Sequence, residues 1–303
     1  MITIPPYLKK GDTIGITCPS GYIDAARVKQ CIAMLQDWGF EVMVGKTVGG
    51  VSSNYFSAPD EEKIDELQAM LNDPGINAIL FGRGGYGMTR IIDQLKFNRF
   101  KKNPKWLIGF SDITAMHCHV YSNCNIASIH GPMAGAFVDI LKNAKNLQSL
   151  RDAFTGRKAK YSCEIHSMNI KGKATGKLIG GNLTLLTNSI GTASEFNTKN
   201  HLLFIEDIGE YLYHIDRMLR QLKRSGKLKN IKGLIVGGFT ELKDTERPFG
   251  KSIDEIIAEV IGPVSFPVCY NFPVSHGKEN LALKIGVEYE LNVTTKKVTL
   301  KEI

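Results

Sequence analysis

The chain lacks any hydrophobic run long enough to cross a membrane. A spanning helix needs roughly 18 or more consecutive apolar residues, and no stretch of the 303 residues approaches that length. The opening MITIPPYLKK carries Pro5 and Pro6 ahead of its first lysines, whereas a secretory signal starts with basic residues that an apolar run follows. We therefore expect a cytoplasmic protein that does not interact with a membrane.

Cysteines are few, and no two of them form a CxxC pair. Six cysteines in a chain of this length are far below the density of a disulfide scaffold. One segment concentrates His117, Cys118, His119, Cys124 and His130. On a helix, residues two positions apart point about 200° away from each other, so His117 and His119 cannot bind one ion together. The sequence therefore predicts no metal site there.

Acidic residues are only slightly outnumbered by basic ones. The chain has 38 Lys and Arg against 30 Asp and Glu, a net charge of +8, with 43% hydrophobic and 22% charged residues, as in an ordinary folded protein. Much of the basic excess lies between residues 157 and 177, without any nucleic-acid-binding motif. We interpret this stretch as a solvated linker, whose field would attract an anionic small substrate rather than nucleic acid.

The first half of the chain alternates strand-like and helix-like segments. Apolar runs at 13–18, 41–44, 77–81 and 105–110 predict strands, and helical periodicity predicts helices between them and over 112–121. Repeated β-then-α units imply a parallel sheet with helices on both faces. This pattern predicts an α/β domain.

The second half is mixed α and β. A short helix is expected over 148–154; strands are expected at 202–205 and 233–236, helices at 215–223 and 253–260, and β-type alternation over 282–300. About 150 residues per domain suggests two domains. We predict an N-terminal α/β domain over 1–150 and a C-terminal domain over 165–303.

A glycine-rich turn, GRGGYG over residues 82–87, follows the strand at 77–81. The pattern G-x-G-x-x-G is that of a dinucleotide site, and Asp112 lies about 25 residues further on, close to the roughly 20 expected of a ribose-binding acid. Two other interpretations remain open. The glycines permit a tight turn and close helix packing, or they expose backbone N–H groups to a developing anion.

The next turn, GFSD over residues 109–112, joins a strand to a helix in one sharp step. This arrangement is typical of a nucleophile elbow, although position 113 is Ile where the G-x-S-x-G pattern has glycine. Ser111 would then project its hydroxyl over the edge of the sheet. The alternative is an ordinary helix N-cap, with Asp112 as a common first-turn residue.

A serine nucleophile needs a base and an acid that orients the base, and the second half offers candidates. IEDIGE, residues 205–210, places three acids at the end of a strand, and SHG places His276 in a loop with proline and glycine nearby. Each of these features by itself is ordinary, because acids often cap a helix and loop histidines often lie on the surface.

Taken together, GRGGYG, GFSD, GGNL over 180–183, IEDIGE and SHG, in this order, resemble the LD-carboxypeptidase family of serine peptidases. The family includes muramoyltetrapeptide carboxypeptidases and microcin-immunity relatives. The resemblance spans nearly the whole chain and implies a flavodoxin-like N-terminal domain with a smaller mixed α+β C-terminal domain. It also implies a cytoplasmic, often homodimeric enzyme without metal or other cofactor.

The resemblance also implies site residues. Ser111 corresponds to the nucleophile, Glu206 to the acid and His276 to the base. The oxyanion donors would be the backbone N–H of Asp112 and that of Gly84 or Gly85, of which we favour Gly85. Arg83 is a candidate for the cation that binds the substrate carboxylate, by its proximity to the turn alone.

One position departs from the family pattern, in which Tyr-Arg usually precedes Ile-Asp-Arg. Here Tyr213 is followed by His214, which leaves substrate specificity open.

We expect a serine carboxypeptidase that cleaves an L,D-peptide bond of murein tetrapeptide and releases D-alanine during cell-wall recycling. Three alternatives remain: a hydrolase of a peptide-like or nucleotide-peptide toxin, a nucleotide-binding oxidoreductase that uses GRGGYG, and a catalytically silent binding protein. The oxidoreductase explains neither Ser111 nor His276.

Overall fold

Five parallel strands of the N-terminal half form the centre of the first sheet. The computed structural model describes residues 1–50 and 54–303. The strands lie in the order β2-β1-β3-β4-β5, which is the doubly wound, flavodoxin-like order, and β11 pairs antiparallel with β5 as a sixth strand at the edge. The strands of this sheet are β1 (Thr13–Thr17), β2 (Glu41–Val44), β3 (Ile76–Phe81), β4 (Trp106–Gly109), β5 (Ser128–His130) and β11 (Leu283–Ile285).

Helices cover both faces of this sheet, because its strands carry apolar residues on both sides. Ile14 of β1 packs in one cluster with Val28, whereas Ile79 of β3 packs in another with Leu67. None of the helices in residues 1–50 and 54–303 is long and apolar enough to cross a membrane. The helices of this half are α1 (Ala26–Asp37), α2 (Asp60–Asn72), α3 (Met88–Ile91), α4 (Asn98–Lys102), α5 (Thr114–His119) and α6 (Ile140–Phe154).

The second sheet has seven strands in the order β10-β9-β8-β7-β12-β13-β6. The four strands β7 to β10 are parallel, and β12, β13 and β6 continue the sheet antiparallel. Its strands and helices are β6 (Lys160–Cys163), β7 (Gly172–Asn182), α7 (Leu183–Asn188), β8 (His201–Ile208), α8 (Leu212–Arg224), β9 (Gly233–Thr240), α9 (Ile253–Ile261), β10 (Val268–Cys269), β12 (Glu288–Val293) and β13 (Val298–Glu302). The predicted fold class, a flavodoxin-like parallel sheet followed by a mixed α and β part, is confirmed.

Several contacts join the two sheets. β11 comes from the C-terminal half but lies in the first sheet, and its Lys284 forms a buried ion pair of 2.9 Å with Glu302 of β13. Thr114 of α5 packs on Gly181, and its Oγ1 accepts a hydrogen bond from the Asn182 N–H at 3.1 Å. The division at residues 150–165 stays a prediction, and the edge strand β11 shows that the two halves share the first sheet.

Several predicted elements have different bounds in the structure, and three of them are near the candidate site residues or their loops. The helix expected at 148–154 is α6, and it begins eight residues earlier, at Ile140. The helix expected at 112–121 is a 3-10 turn (Ser111–Ile113), then α5, then a π-helical turn (Val120–Cys124). The strand expected at 202–205 continues to Ile208, so Glu206 is not its last residue.

Candidate active site

Ser111 lies in a strained turn between β4 and α5. Its φ is +62°, a left-handed conformation that costs a non-glycine residue about 1–3 kcal/mol and is found mostly where function requires it. The turn is tight, since a Cβ placed on Gly109 would lie 3.0 Å from Ile113. The side chain of Ser111 is only partly buried. This is the geometry of a nucleophile elbow, although the glycine expected at position 113 is absent.

The side chain of Asp112 connects three turns beneath the serine. Its Oδ2 accepts hydrogen bonds from Ser20 Oγ at 2.6 Å and from the Met88 N–H at 2.8 Å. Burial raises the pKa of this carboxyl, and the two hydrogen bonds and the charge of Lys63 oppose that rise. The carboxylate faces the protein interior and is 1% exposed, so it is not available to a ribose. This geometry contradicts the role that the dinucleotide interpretation gives to Asp112.

The glycine-rich turn packs directly on Ser111. A Cβ on Gly84 would lie 2.8 Å from Ser111 Cβ and 3.0 Å from its Oγ, so a larger residue would displace the serine. The carbonyl of Gly84 accepts a hydrogen bond from the Gly21 N–H at 3.2 Å. The C=O and N–H of a trans peptide point in opposite directions, so the N–H of Gly85 points away from Gly21. Gly85 has a φ of +106°, which a residue with a Cβ would not tolerate.

His276 is bound to a fully buried carboxylate. Its Nδ1 lies 2.6 Å from Oε2 of Glu206, which has no solvent exposure. Burial raises the pKa of Glu206 above its usual range, and the hydrogen bond and charge of His276 oppose that rise. Nε2 of His276 has no hydrogen-bond partner in the part of the chain that the structure describes. Because Nδ1 faces an acceptor, a neutral ring carries its proton on Nδ1 and leaves Nε2 free to act as a base.

Phe110 connects this pair to the serine turn. The residue immediately precedes Ser111, and its ring centroid lies 4.8 Å from that of His276. Between Ser111 and His276 themselves, no hydrogen bond is present in residues 1–50 and 54–303. A catalytic hydrogen bond is often longer before substrate binds, so its absence here does not decide the role of either residue.

A bulge in β9 lets the His276 loop approach Glu206. The register between β8 and β9 shifts after Ile205, because β9 carries one extra residue in its Gly237–Gly238 pair. A Cβ on Gly237 would lie 2.2 Å from the carbonyl of Val274, and the Gly238 N–H donates to that same carbonyl at 2.9 Å. The GG pair at 237–238 is the sequence feature that could have indicated this contact.

The other two acids of the IEDIGE segment have different partners. Asp207 accepts hydrogen bonds from Asn182 Nδ2 at 2.7 Å and from both the N–H and Oγ1 of Thr184 at 2.9 Å, which places it at the start of α7. Glu210 accepts from Nδ1 of His214 at 2.8 Å near the start of α8. Of the three acids, Glu206 is therefore the one bound to His276.

Arg83 and the His/Cys segment complete the sequence candidates. The side chain of Arg83 is exposed beside the glycine-rich turn, and one amino group donates to the Tyr22 carbonyl at 2.9 Å. His117 bonds to the Gly109 carbonyl and Ser128, while His119 bonds to Ser194, so the two rings face different elements. Burial lowers the pKa of His117 to about 4. Among the residues with described placement, no three His, Cys, Asp or Glu side chains converge as metal ligands.

Family profiles match both halves of the chain. The LD-carboxypeptidase N-terminal domain matches residues 14–131, and the LD-carboxypeptidase C-terminal domain matches residues 175–291. The chain belongs to the LD-carboxypeptidase family. It is accordingly a serine-type hydrolase, and the resemblance inferred from the five motifs is confirmed.

Individual relatives are similar to this chain over almost its full length. The chain is 32% identical over 302 residues to the probable murein peptide carboxypeptidase of Bacillus subtilis (strain 168), covering 98% of this chain and 94% of that protein. It is 25% identical over 335 residues to the microcin C7 self-immunity protein MccF of Escherichia coli, covering 97% and 94%. The crystal structure of muramoyltetrapeptide carboxypeptidase from Oxalobacter formigenes superposes with a TM-score of 0.86 at 29% identity, covering 96% and 98%. These relatives support LD-carboxypeptidase activity for this member of the family.

Proposed function

We propose that this LD-carboxypeptidase cleaves an L,D-peptide bond of murein tetrapeptide and releases the C-terminal D-alanine during cell-wall recycling. The observation that carries the proposal is the 2.6 Å contact between His276 and the buried Glu206, next to the strained turn of Ser111. The names of the Bacillus and Oxalobacter relatives support a murein peptide as the substrate. A cytoplasmic location and a homodimer are part of the same proposal.

In the proposed mechanism, Ser111, His276 and Glu206 act as nucleophile, base and orienting acid. Ser111 Oγ attacks the carbonyl carbon of the scissile bond while His276 Nε2 takes the hydroxyl proton. The imidazolium then donates this proton to the nitrogen of the departing D-alanine, and the carbon–nitrogen bond breaks. A water molecule, deprotonated by His276, hydrolyses the acyl-enzyme to the tripeptide and restores Ser111. Glu206 holds the ring in the required tautomer throughout.

The oxyanion of each tetrahedral intermediate would accept hydrogen bonds from the N–H groups of Gly85 and Asp112. Neither N–H donates to an acceptor within residues 1–50 and 54–303. The N–H of Gly85 points away from Gly21, and the preceding Gly84 packs on the serine, which supports Gly85 as the donor in this proposal. Donors that are already oriented stabilise the developing charge without reorganisation.

Arg83 is the proposed cation for the substrate carboxylate. One amino group holds the Tyr22 carbonyl, and the side chain is otherwise exposed beside the turn. We expect Arg83→Ala to raise KM for the tetrapeptide by about 10- to 100-fold with a smaller change in kcat, the value of one lost charged hydrogen bond. Arg90→Ala, which removes another exposed charge, paired with Asp60, serves as the control and should leave KM within about twofold. If both variants have the same KM, a cation other than Arg83 binds the substrate carboxylate.

The substrate test compares three peptides under steady-state conditions. Murein tetrapeptide should release D-alanine, and the same peptide with a C-terminal L-alanine should be cleaved at least about tenfold less efficiently. The third substrate is an aminoacyl-nucleotide conjugate, because the likeness to the microcin self-immunity protein favours a toxin hydrolase as the second candidate function. A higher kcat/KM for the conjugate than for the tetrapeptide would favour that second function over the proposed one.

Activity on the tetrapeptide should survive exhaustive dialysis against EDTA. The proposed nucleophile is a side-chain hydroxyl, and both ring nitrogens of His117 and the Nδ1 of His119 are engaged by protein groups. The measurement is the rate of D-alanine release before and after chelation. Loss of activity that zinc restores would replace the serine mechanism by attack of a metal-bound water.

A further inference from the structure

The loop that carries His276 is held by a side chain from the other half of the chain. After the histidine, the loop turns back so that the Leu281 N–H donates to the Pro273 carbonyl at 3.0 Å. Inside this turn, Ser275 Oγ accepts from the Gly277 N–H at 2.9 Å and donates to the Glu279 carbonyl at 3.0 Å. These bonds are internal to the loop and do not fix where the loop lies relative to Glu206.

Asn146 of α6 bonds the loop on both sides of Glu279. Its Nδ2 donates to the Lys278 carbonyl at 3.0 Å, and its Oδ1 accepts from the Asn280 N–H at 3.0 Å. The residue is 4% exposed, so water competes little for these bonds. One turn further along the helix, Ser149 Oγ accepts from the Ala282 N–H at 2.9 Å. The amide of Asn146 thus satisfies both polar backbone groups that flank Glu279, two to four residues after the histidine.

We propose that Asn146 is a positioning residue for the reaction, which holds the 276–280 loop so that the His276 imidazole stays bonded to Glu206. The inference rests on the proposed function only in assigning His276 as the base. Without the two bonds, the Lys278 carbonyl and Asn280 N–H would turn toward water, and the loop would shift relative to the buried carboxylate. A displacement of about 1 Å costs up to roughly 10²-fold in rate when it affects a catalytic group.

The first readout is kinetic. Asn146→Ala should lower kcat for the tetrapeptide by about 10- to 100-fold with KM within about threefold, because the base and not the substrate contact is displaced. Lys145→Ala is the matched control, since its exposed ion pair reaches Glu279 of the same loop from the neighbouring helix position. An exposed pair contributes little, so kcat should stay within about twofold. Leu147→Val, which loosens the core side of α6 and keeps both Asn146 side-chain bonds to the loop, controls for loss of helix stability.

The second readout needs no substrate. The proton between His276 Nδ1 and Glu206 should give a downfield resonance in the proton NMR spectrum of the wild-type enzyme, lost in His276→Ala. In Asn146→Ala this resonance should weaken or shift, and in Lys145→Ala and Leu147→Val it should not. Asn146→Asp, which keeps the acceptor for Asn280 but loses the donor to Lys278, should act in the same direction if the alanine variant folds poorly.

The outcomes separate the two proposals. If Ser111→Ala is inactive but Asn146→Ala keeps wild-type kcat and resonance, the positioning role is wrong and the proposed function stands. If the wild-type enzyme does not cleave the tetrapeptide, the proposed function is wrong, and the resonance alone decides the role of Asn146. If Leu147→Val lowers kcat as much as Asn146→Ala does, the effect of Asn146→Ala comes from a less stable helix α6, and the positioning role is wrong.

Discussion

Replacing Ser111 with alanine should reduce D-alanine release from murein tetrapeptide by roughly 10⁴-fold or more, the scale of losing a triad nucleophile. The turn presents the hydroxyl at the edge of the first sheet, and in the described residues no other serine shares its left-handed conformation at a strand-to-helix step. Because alanine and serine have a similar cost at a φ of +62°, the melting temperature should change little.

Because Ser111 packs against Gly84, the substitution could also affect folding. The rates of the variant and the wild type are therefore compared on samples that are shown to be equally folded. Circular dichroism and the melting temperature provide this control. Retention of more than about a tenth of wild-type activity in Ser111→Ala would remove this residue as the nucleophile.

Glu206→Gln should lower kcat by about 10²- to 10⁴-fold while the tetrapeptide KM changes little. The amide can donate to Nδ1 of His276, which stabilises the tautomer that carries the proton on Nε2 and so removes the base. Among the residues that the structure describes, the buried Glu206 is the hydrogen-bond partner of Nδ1 of His276, so the substitution removes the acceptor that holds this ring. The measurement is the steady-state kinetics of Glu206→Gln, Asp207→Asn and Glu210→Gln on the tetrapeptide.

The two neighbouring acids are the matched controls for this prediction. Asp207→Asn places an NH₂ group against donors from Asn182 or Thr184, so it should cost about 1–3 kcal/mol of stability and lower the melting temperature. Glu210→Gln changes only a partly exposed contact with His214 and should be close to wild type. A dead Glu210→Gln variant beside an active Glu206→Gln variant would move the role of the acid to Glu210.

The His214 position also bears on substrate choice. The family pattern usually has arginine here, and the structure shows His214 bonded to Glu210 and packed between Tyr211 and Tyr213. A histidine in this contact cannot form the forked hydrogen bonds of an arginine to a carboxylate. We propose Arg83, on another element, as the cation for the substrate carboxylate, and the Arg83→Ala variant tests this assignment.

Local pattern in the sequence was sufficient for the class of fold and for the two turns that follow strands of the first sheet. Apolar runs followed by helical periodicity predicted the parallel sheet, because a strand buried on both faces must be apolar throughout. The turns at Gly82–Gly87 and Gly109–Asp112 were identified because both follow strands of that sheet, where open α/β folds place their ligand sites. The link between these turns and the acid and histidine of the second half came only from the family resemblance.

Contacts between segments that lie far apart in the chain could not be predicted from the sequence pattern. Periodicity shows which face of an element is buried, but it does not say which loops meet, since Glu206 and His276 lie 70 positions apart. Their contact depends on the extra residue in β9 and on glycines that let backbones approach, and Asn146 of α6 bonds the same loop. The strands, the turns and the candidate residues can be read from the sequence pattern and the resemblance, whereas the contact between Glu206 and His276 is visible only in the folded chain, because packing brings their loops within hydrogen-bond distance.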